Sequence, residues 1–291
     1  MNMISTQTVS QVPMSQAYER YTADDHQTWQ RLFARLIPIW KRYAHPLFLE
    51  GLNKTGISDD VIPRIDAISE LLKPYGWQAI PVDGFVPPRH FLGLQAQKIM
   101  PIARDIRRPE HLDYTPAPDI WHEAAGHVPL LVDPMYGAFL QRFGELALQV
   151  PFSEADQIVY EAIRHLSILK EHPEQDIQAI EAAEAQLNHL TSTLTDESVG
   201  LKLSRLYWWT VEYGLIETPD GLKIYGAGLL SSPFECAYAM SDAVEKRPLT
   251  LDCLEVAFDI TRPQPQLFVA ESFDQVLALL DEFVAKESLL Q

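Results

Sequence analysis

Residues 115–131 read TPAPDIWHEAAGHVPLL, a stretch that sets His122 and His127 five positions apart with Glu123 beside the first. On an α-helix of about 100° per residue, histidines four apart are offset by only about 40°, the geometry of a zinc-protease HExxH motif. At five apart the offset is roughly 140°, so a regular helix would point the two imidazoles away from each other. They can share a metal only where the helix ends or loosens. Gly126 and Pro129 flank His127 and supply that irregularity. A zinc hydrolase with Glu123 as general base stays open on residue types, and the spacing opposes it.

Outward from this stretch, the 291 residues suffice for one large domain, 47% hydrophobic and 22% charged. A net charge of −17 argues against nucleic acid and against an anionic membrane surface, since phosphate binding needs clustered Lys and Arg. Cys236 and Cys253 are too few for a disulfide framework or a thiolate metal site. The first residues lack a basic and apolar signal pattern, and no stretch reaches the roughly 18 apolar residues of a membrane span. A cytoplasmic location is the expectation.

Residues 1–17 are polar and aperiodic and read as a disordered lead-in; 18–291 read as a single catalytic domain. Trp29, Leu32, Phe33, Leu36 and Trp40 share a helix face, as do Val61, Ile65, Ile68 and Leu72. Prolines and Gly84 break the chain into short extended pieces between Trp77 and Pro88. Met135, Phe139, Phe143 and Leu146 mark another helix. Residues 154–196 read as an inserted helical hairpin, with stripes at Ile158, Ala162, Ile163, Leu166, Leu169 and at Ile180, Ala183, Leu187, Leu190, Leu194. Its His165, His172 and His189 match no ligand spacing and are read as exposed. A helix over about 199–214, a small hairpin turned at Pro219-Asp220-Gly221 and a last helix through Phe273 and Val284 complete a mainly α chain with a few short β-strands.

Two histidines need a third ligand, and a carboxylate would complete a 2-His-1-carboxylate triad of the kind that suits non-haem Fe(II) and dioxygen. Glu123 projects about 100° away from His122, which suits a substrate-side role. Glu212, in the aromatic helix RLYWWTVEYG, is the stronger candidate, because an unpaired carboxylate there would be costly. Asp119, three residues before His122, is within reach to orient its imidazole.

PDIWHEAAGHVPLL, LYWWTVEYGL and YGAGLLSS, with YTADDHQTWQRLF and FVAESF near the two ends, resemble the pterin-dependent aromatic amino acid hydroxylases in content and order. The resemblance covers roughly residues 21–273 and implies that family's mostly helical catalytic-domain fold. By resemblance His122, His127 and Glu212 bind Fe(2+), and Arg107 holds the amino acid carboxylate in its bidentate fork. Tyr114, Thr115, Pro118, Trp208, Gly228 and Ser231 line the substrate pocket. Gly84, Phe91 and Leu92 border a tetrahydrobiopterin or related tetrahydropterin, and Glu123 and Tyr207 border pterin and dioxygen as catalytic residues. Pro88 and Pro101 replace polar residues often found in the family's pterin loop. The implied reaction is O2-dependent hydroxylation of L-phenylalanine to L-tyrosine; tryptophan hydroxylation and meta attack are the alternatives within the family. Trp208 matches the phenylalanine and tyrosine enzymes, and Ile260 lies where the tyrosine enzymes carry an aspartate. With no regulatory segment seen before Tyr18 and no coiled-coil tail after Phe283, a monomer or weak dimer is expected.

Overall fold

Thr22 starts the helical frame. Its hydroxyl accepts from the Asp25 N–H while the Asp25 carboxylate accepts from the Thr22 N–H, a reciprocal cap for two donors otherwise unpaired at a helix start. The helix that follows, α1 (Ala23–Tyr43), buries the predicted face of Trp29, Leu32, Phe33, Leu36 and Trp40. The rings of Trp29, Phe33 and Trp40 all pack on Trp121. α1 therefore backs the histidine segment directly.

The computed structural model describes residues 14–84, 86–113, 115, 117–151, 153–172, 174–193, 198–260 and 262–287. After α1 come α2 (Pro46–Lys54), α3 (Ile65–Leu72), β1 (Gln78–Val82), α4 (Pro88–Ala96) and β2 (Ile99–Ala103). β1 and β2 pair in parallel, Gln78 opposite Ile99, with α4 as the crossover. Val61 does not join the α3 stripe and is exposed; Pro63 forces its predecessor out of helical geometry, so the helix starts later. The expected lead-in also needs correction at its end. Gln16 donates to the Pro63 carbonyl and accepts from the Ile65 N–H, which ties residues 14–17 to the frame.

α5 (Pro134–Gln149) is capped by Asp133 and is followed by α6 (Glu154–Glu171) and α7 (Ile177–Thr193). These last two form the predicted hairpin around a small core of Leu166, Ile180, Ala183 and Leu187. Ile158 is exposed instead of packed, because Val159 takes the inward position and neighbours on a helix differ by about 100°. His165, His172 and His189 are exposed as read, and Leu194 lies outside the described residues.

α8 (Val199–Tyr207), β3 (Leu215–Thr218), β4 (Gly221–Ile224), α9 (Ala227–Leu230), α10 (Pro233–Ala239), β5 (Glu245–Pro248), β6 (Gln266–Ala270) and α11 (Phe273–Lys286) complete the order. The four strands lie as β4-β3-β6-β5, antiparallel only between β3 and β4. Gly221 closes that hairpin at φ 89°, a conformation open to glycine at little cost. One continuous core runs from α1 to α11, and the fold is mainly α with short strands. No helix among the described residues is long and apolar enough to cross a membrane.

Candidate active site

Among the described residues, the helical turns widen beyond α geometry in two places, and the candidate metal ligands stand on both. Trp121–His127 is π-helical, and so is Trp208–Glu212. In the second, the Tyr213 N–H donates to the Trp208 carbonyl, five residues back, at 2.9 Å. Bonding from i to i+5 widens the turn and brings residues five apart onto one face. The awkward spacing of His122 and His127 is thereby resolved. The loosening expected at Gly126 and Pro129 in fact spans the whole segment, and Pro129 opens a 3-10 turn over Val128–Val132.

His127 Nε2 lies 3.1 Å from His122 Nε2, and Glu212 places its carboxylate oxygens 3.3 Å from the first and 3.5 Å from the second. Adjacent positions around a metal with ligands at about 2.1 Å are about 3 Å apart, so this donor set fits one ion. Three coordination positions would stay open. A Glu123 carboxylate oxygen also lies within 4.8 Å of a nitrogen of each histidine. Electrostatics separates the two acids. Burial pushes the Glu123 carboxyl up to about 8, and its Oε2 has no hydrogen-bond partner. Burial also acts on Glu212, but His127 and His122 outweigh it and hold its carboxyl below the usual range. Glu212 is therefore the better candidate ligand of the two acids. A protonated, enclosed Glu123 is also a poor general base, which further weakens the zinc-hydrolase alternative.

Burial lowers His122 to about 4, keeping its imidazole neutral as a ligand must be. Its Nδ1 meets Ser231 Oγ at 2.9 Å. This corrects the expected role of Asp119, whose Oδ1 accepts from the His122 backbone N–H instead, at 2.9 Å. Three residues before His122, a short acidic side chain caps the first turn of the segment more readily than it reaches the ring. Asp119 also grips Arg107 bidentately, Nε to Oδ2 and Nη2 to Oδ1, both at 2.9 Å. Arg107 Nη1 donates to the Ser231 carbonyl. Of five guanidinium N–H groups, one on each terminal nitrogen remains for a ligand carboxylate.

These residues enclose a cavity of about 300 Å³ lined by Arg107, Thr115, Pro118, His122, Tyr207, Trp208, Glu212, Gly228 and Ser231. Trp208 is clamped between Tyr213 at 4.5 Å and Phe258 at 4.4 Å, both rings nearly parallel to it. Tyr114 lies outside the described residues. The pterin-loop residues are not gathered here. Gly84 lines a neighbouring cavity of about 580 Å³ that shares Arg107 and Pro118. Phe91 is half-buried, and Leu92 is buried in the core and lines neither cavity. Ser232, Tyr213 and Glu235 also line the main cavity, and the sequence reading did not single them out. Ser232 and Glu235 stand in the pattern of a helix cap, and the Glu235 N–H does donate to Ser232 Oγ. That local role hides the second one.

The sequence matches the profile of the biopterin-dependent aromatic amino acid hydroxylases over residues 12–161 and 151–289. The chain belongs to that family. It is a pterin-dependent hydroxylase of aromatic amino acids. It is 32% identical over 271 residues to a phenylalanine-4-hydroxylase of Ralstonia nicotianae, covering 93% of this chain and 70% of that one. To the Pseudomonas aeruginosa phenylalanine-4-hydroxylase it is 30% identical over 282 residues, 96% and 90% of the two chains. A crystal structure of Chromobacterium violaceum phenylalanine hydroxylase with bound iron(III) and 7,8-dihydrobiopterin aligns at a TM-score of 0.75 and 28% identity, over 96% and 87% of the two chains. The mostly helical catalytic-domain fold expected of the hydroxylase is the one found.

Proposed function

We propose that this hydroxylase converts L-phenylalanine to L-tyrosine, using dioxygen, a tetrahydropterin and ferrous iron held by His122, His127 and Glu212. One observation carries the reading: His122, Glu212 and the preset Arg107 fork open onto a single cavity walled by a clamped Trp208, and His127 converges on the first two from behind the cavity wall. The names of its relatives support the same substrate. Bound in that frame, iron and pterin together supply the activation of dioxygen.

The chain's own residues do the rest. Arg107 takes the amino acid carboxylate, with Ser231 and Thr115 on the same wall. Trp208, Pro118 and Gly228 shape the space for the ring, and Ile260 offers a phenolic hydroxyl no partner, which favours phenylalanine over tyrosine. Tyr207, raised well above its usual pKa by burial and by Glu212, keeps its phenol protonated at the cavity edge. Glu123 and Tyr207 face the pterin and dioxygen side; Gly84 and Phe91 bound the pterin. The net charge of −17 supports a set of partners limited to small molecules, and we read the chain as a cytoplasmic monomer or weak dimer.

The decisive experiment loads Fe(II) anaerobically and offers phenylalanine, tyrosine and tryptophan with and without tetrahydropterin. Products are compared with ortho-, meta- and para-tyrosine standards. Pterin-dependent para-tyrosine is expected; a meta product or faster turnover of tryptophan overturns the proposal.

A further inference from the structure

Gln95 is a buried polar side chain for which the reaction just described has no use. It lies in α4 with no solvent exposure, next to the buried Leu92, Gly93 and Leu94. A buried amide group left unpaired carries a desolvation cost that a leucine would not. Its Nε2 donates to the Tyr207 hydroxyl oxygen at 3.3 Å and lies 4.0 Å from Met100 Sδ, while its Oε1 has no partner. The opposite amide orientation would set oxygen against sulfur and orphan two N–H donors instead of one acceptor. The neighbours therefore fix the direction of the bond: Gln95 donates and Tyr207 accepts.

A phenol has one proton. With Gln95 on the acceptor side, that proton must point elsewhere, and no bond from it to another described residue is present. Phe143 packs edge-on against the Tyr207 ring at 5.1 Å and fixes its plane. Tyr207 lines the main cavity beside His122 and Glu212, and Tyr207 and Glu212 are five residues apart across the second π-helical segment. We infer that Gln95 is a positioning residue for hydroxylation: by occupying the acceptor side of Tyr207, it aims the phenol O–H into the cavity, toward an oxygen atom bound there. The inference rests on the hydroxylation proposed above.

A double-mutant cycle on the iron-loaded enzyme tests it. The readouts are kcat, KM for phenylalanine, iron content and the fraction of tetrahydropterin oxidation that yields tyrosine. Gln95→Leu should lower kcat about three- to tenfold and lower that fraction, with KM and iron content unchanged. In the Tyr207→Phe background, adding Gln95→Leu should change either readout by less than about twofold, because no proton remains to be aimed. Equal losses in both backgrounds would make Gln95 a packing residue only. Full kcat and coupling in Gln95→Leu, or in Tyr207→Phe, would also overturn the inference. Should Gln95→Leu fail to fold, Gln95→Met, which keeps the length without the N–H donors, goes through the same cycle. Wild-type turnover of phenylalanine in this assay tests the underlying reading separately.

Discussion

The Arg107 fork is oriented before any ligand arrives, because Asp119 occupies two of its donors and the Ser231 carbonyl a third. Arg107→Ala should raise KM for phenylalanine by about one to two powers of ten, the worth of a charge-assisted bond of roughly 1.5–3 kcal/mol. It should also lower stability in urea by several kcal/mol, since Asp119 is left as an unpaired buried carboxylate. An unchanged KM would reduce Arg107 to a structural ion pair. His122→Ala, His127→Ala and Glu212→Ala should each lose most bound iron, whereas Glu123→Gln keeps it; iron retained in Glu212→Ala would promote Glu123. Glu235 sets a pH dependence. Burial pushes its carboxyl up to about 7 from 4.5, so the folded state binds more protons across that window. Stability contributed by the neutral acid is present below about 4.5 and is lost as pH rises through 7, by an amount on the order of 3 kcal/mol. Glu235→Gln should flatten that part of the stability–pH curve, and an unchanged slope would contradict it. At this scale the histidine pair and Glu212 were legible from spacing and setting, and Arg107 only through the family resemblance. Gln95 and Glu235 were not, because burial of a polar side chain depends on residues far away in sequence.

Elements carry the geometry that residue types alone leave open. A 3.6-residue period identified α1, α5, α11 and the α6–α7 hairpin, since each buries one continuous stripe. The two π-helical segments have no comparable pattern. Their widened turns are sustained by what packs around them, and Trp121 shows this by sitting within a cage of α1 rings. Close approach behind the ligands is equally invisible in sequence. At Gly51 in α2, an added Cβ would lie 1.9 Å from the Pro129 carbonyl oxygen. Gly51→Ala must push α2 away from the turn that follows His127. Overpacking of this kind typically costs about 1–3 kcal/mol and occasionally more. A fall in urea midpoint with reduced iron content is expected; wild-type stability would show that the two elements slide apart freely.

Across the whole molecule, the α6–α7 hairpin stands apart from the main core. Its apolar residues pack on one another, Ser198 bonds Asp156 at its base, and Arg108 donates to the Glu171 carbonyl. Ile260 packs against it and also lines the main cavity. Replacing residues 154–197 with a short linker should preserve helical circular dichroism and iron binding while raising KM, because Ile260 loses support on one side. Global unfolding of that variant would show the hairpin to be part of the core. The main core, by contrast, joins distant parts of the chain. Trp40 donates its indole N–H to the Leu230 carbonyl, 190 positions on, and β3 takes its parallel partner from residues 269 and 270. Such long-range pairing cannot form early, because its loop must close before the contact stabilises anything. During synthesis the strand that follows Glu212 therefore waits for β6 to leave the ribosome. The metal cradle matures only after β6 has been made, and iron loading follows the synthesis of a strand more than fifty residues beyond the last ligand.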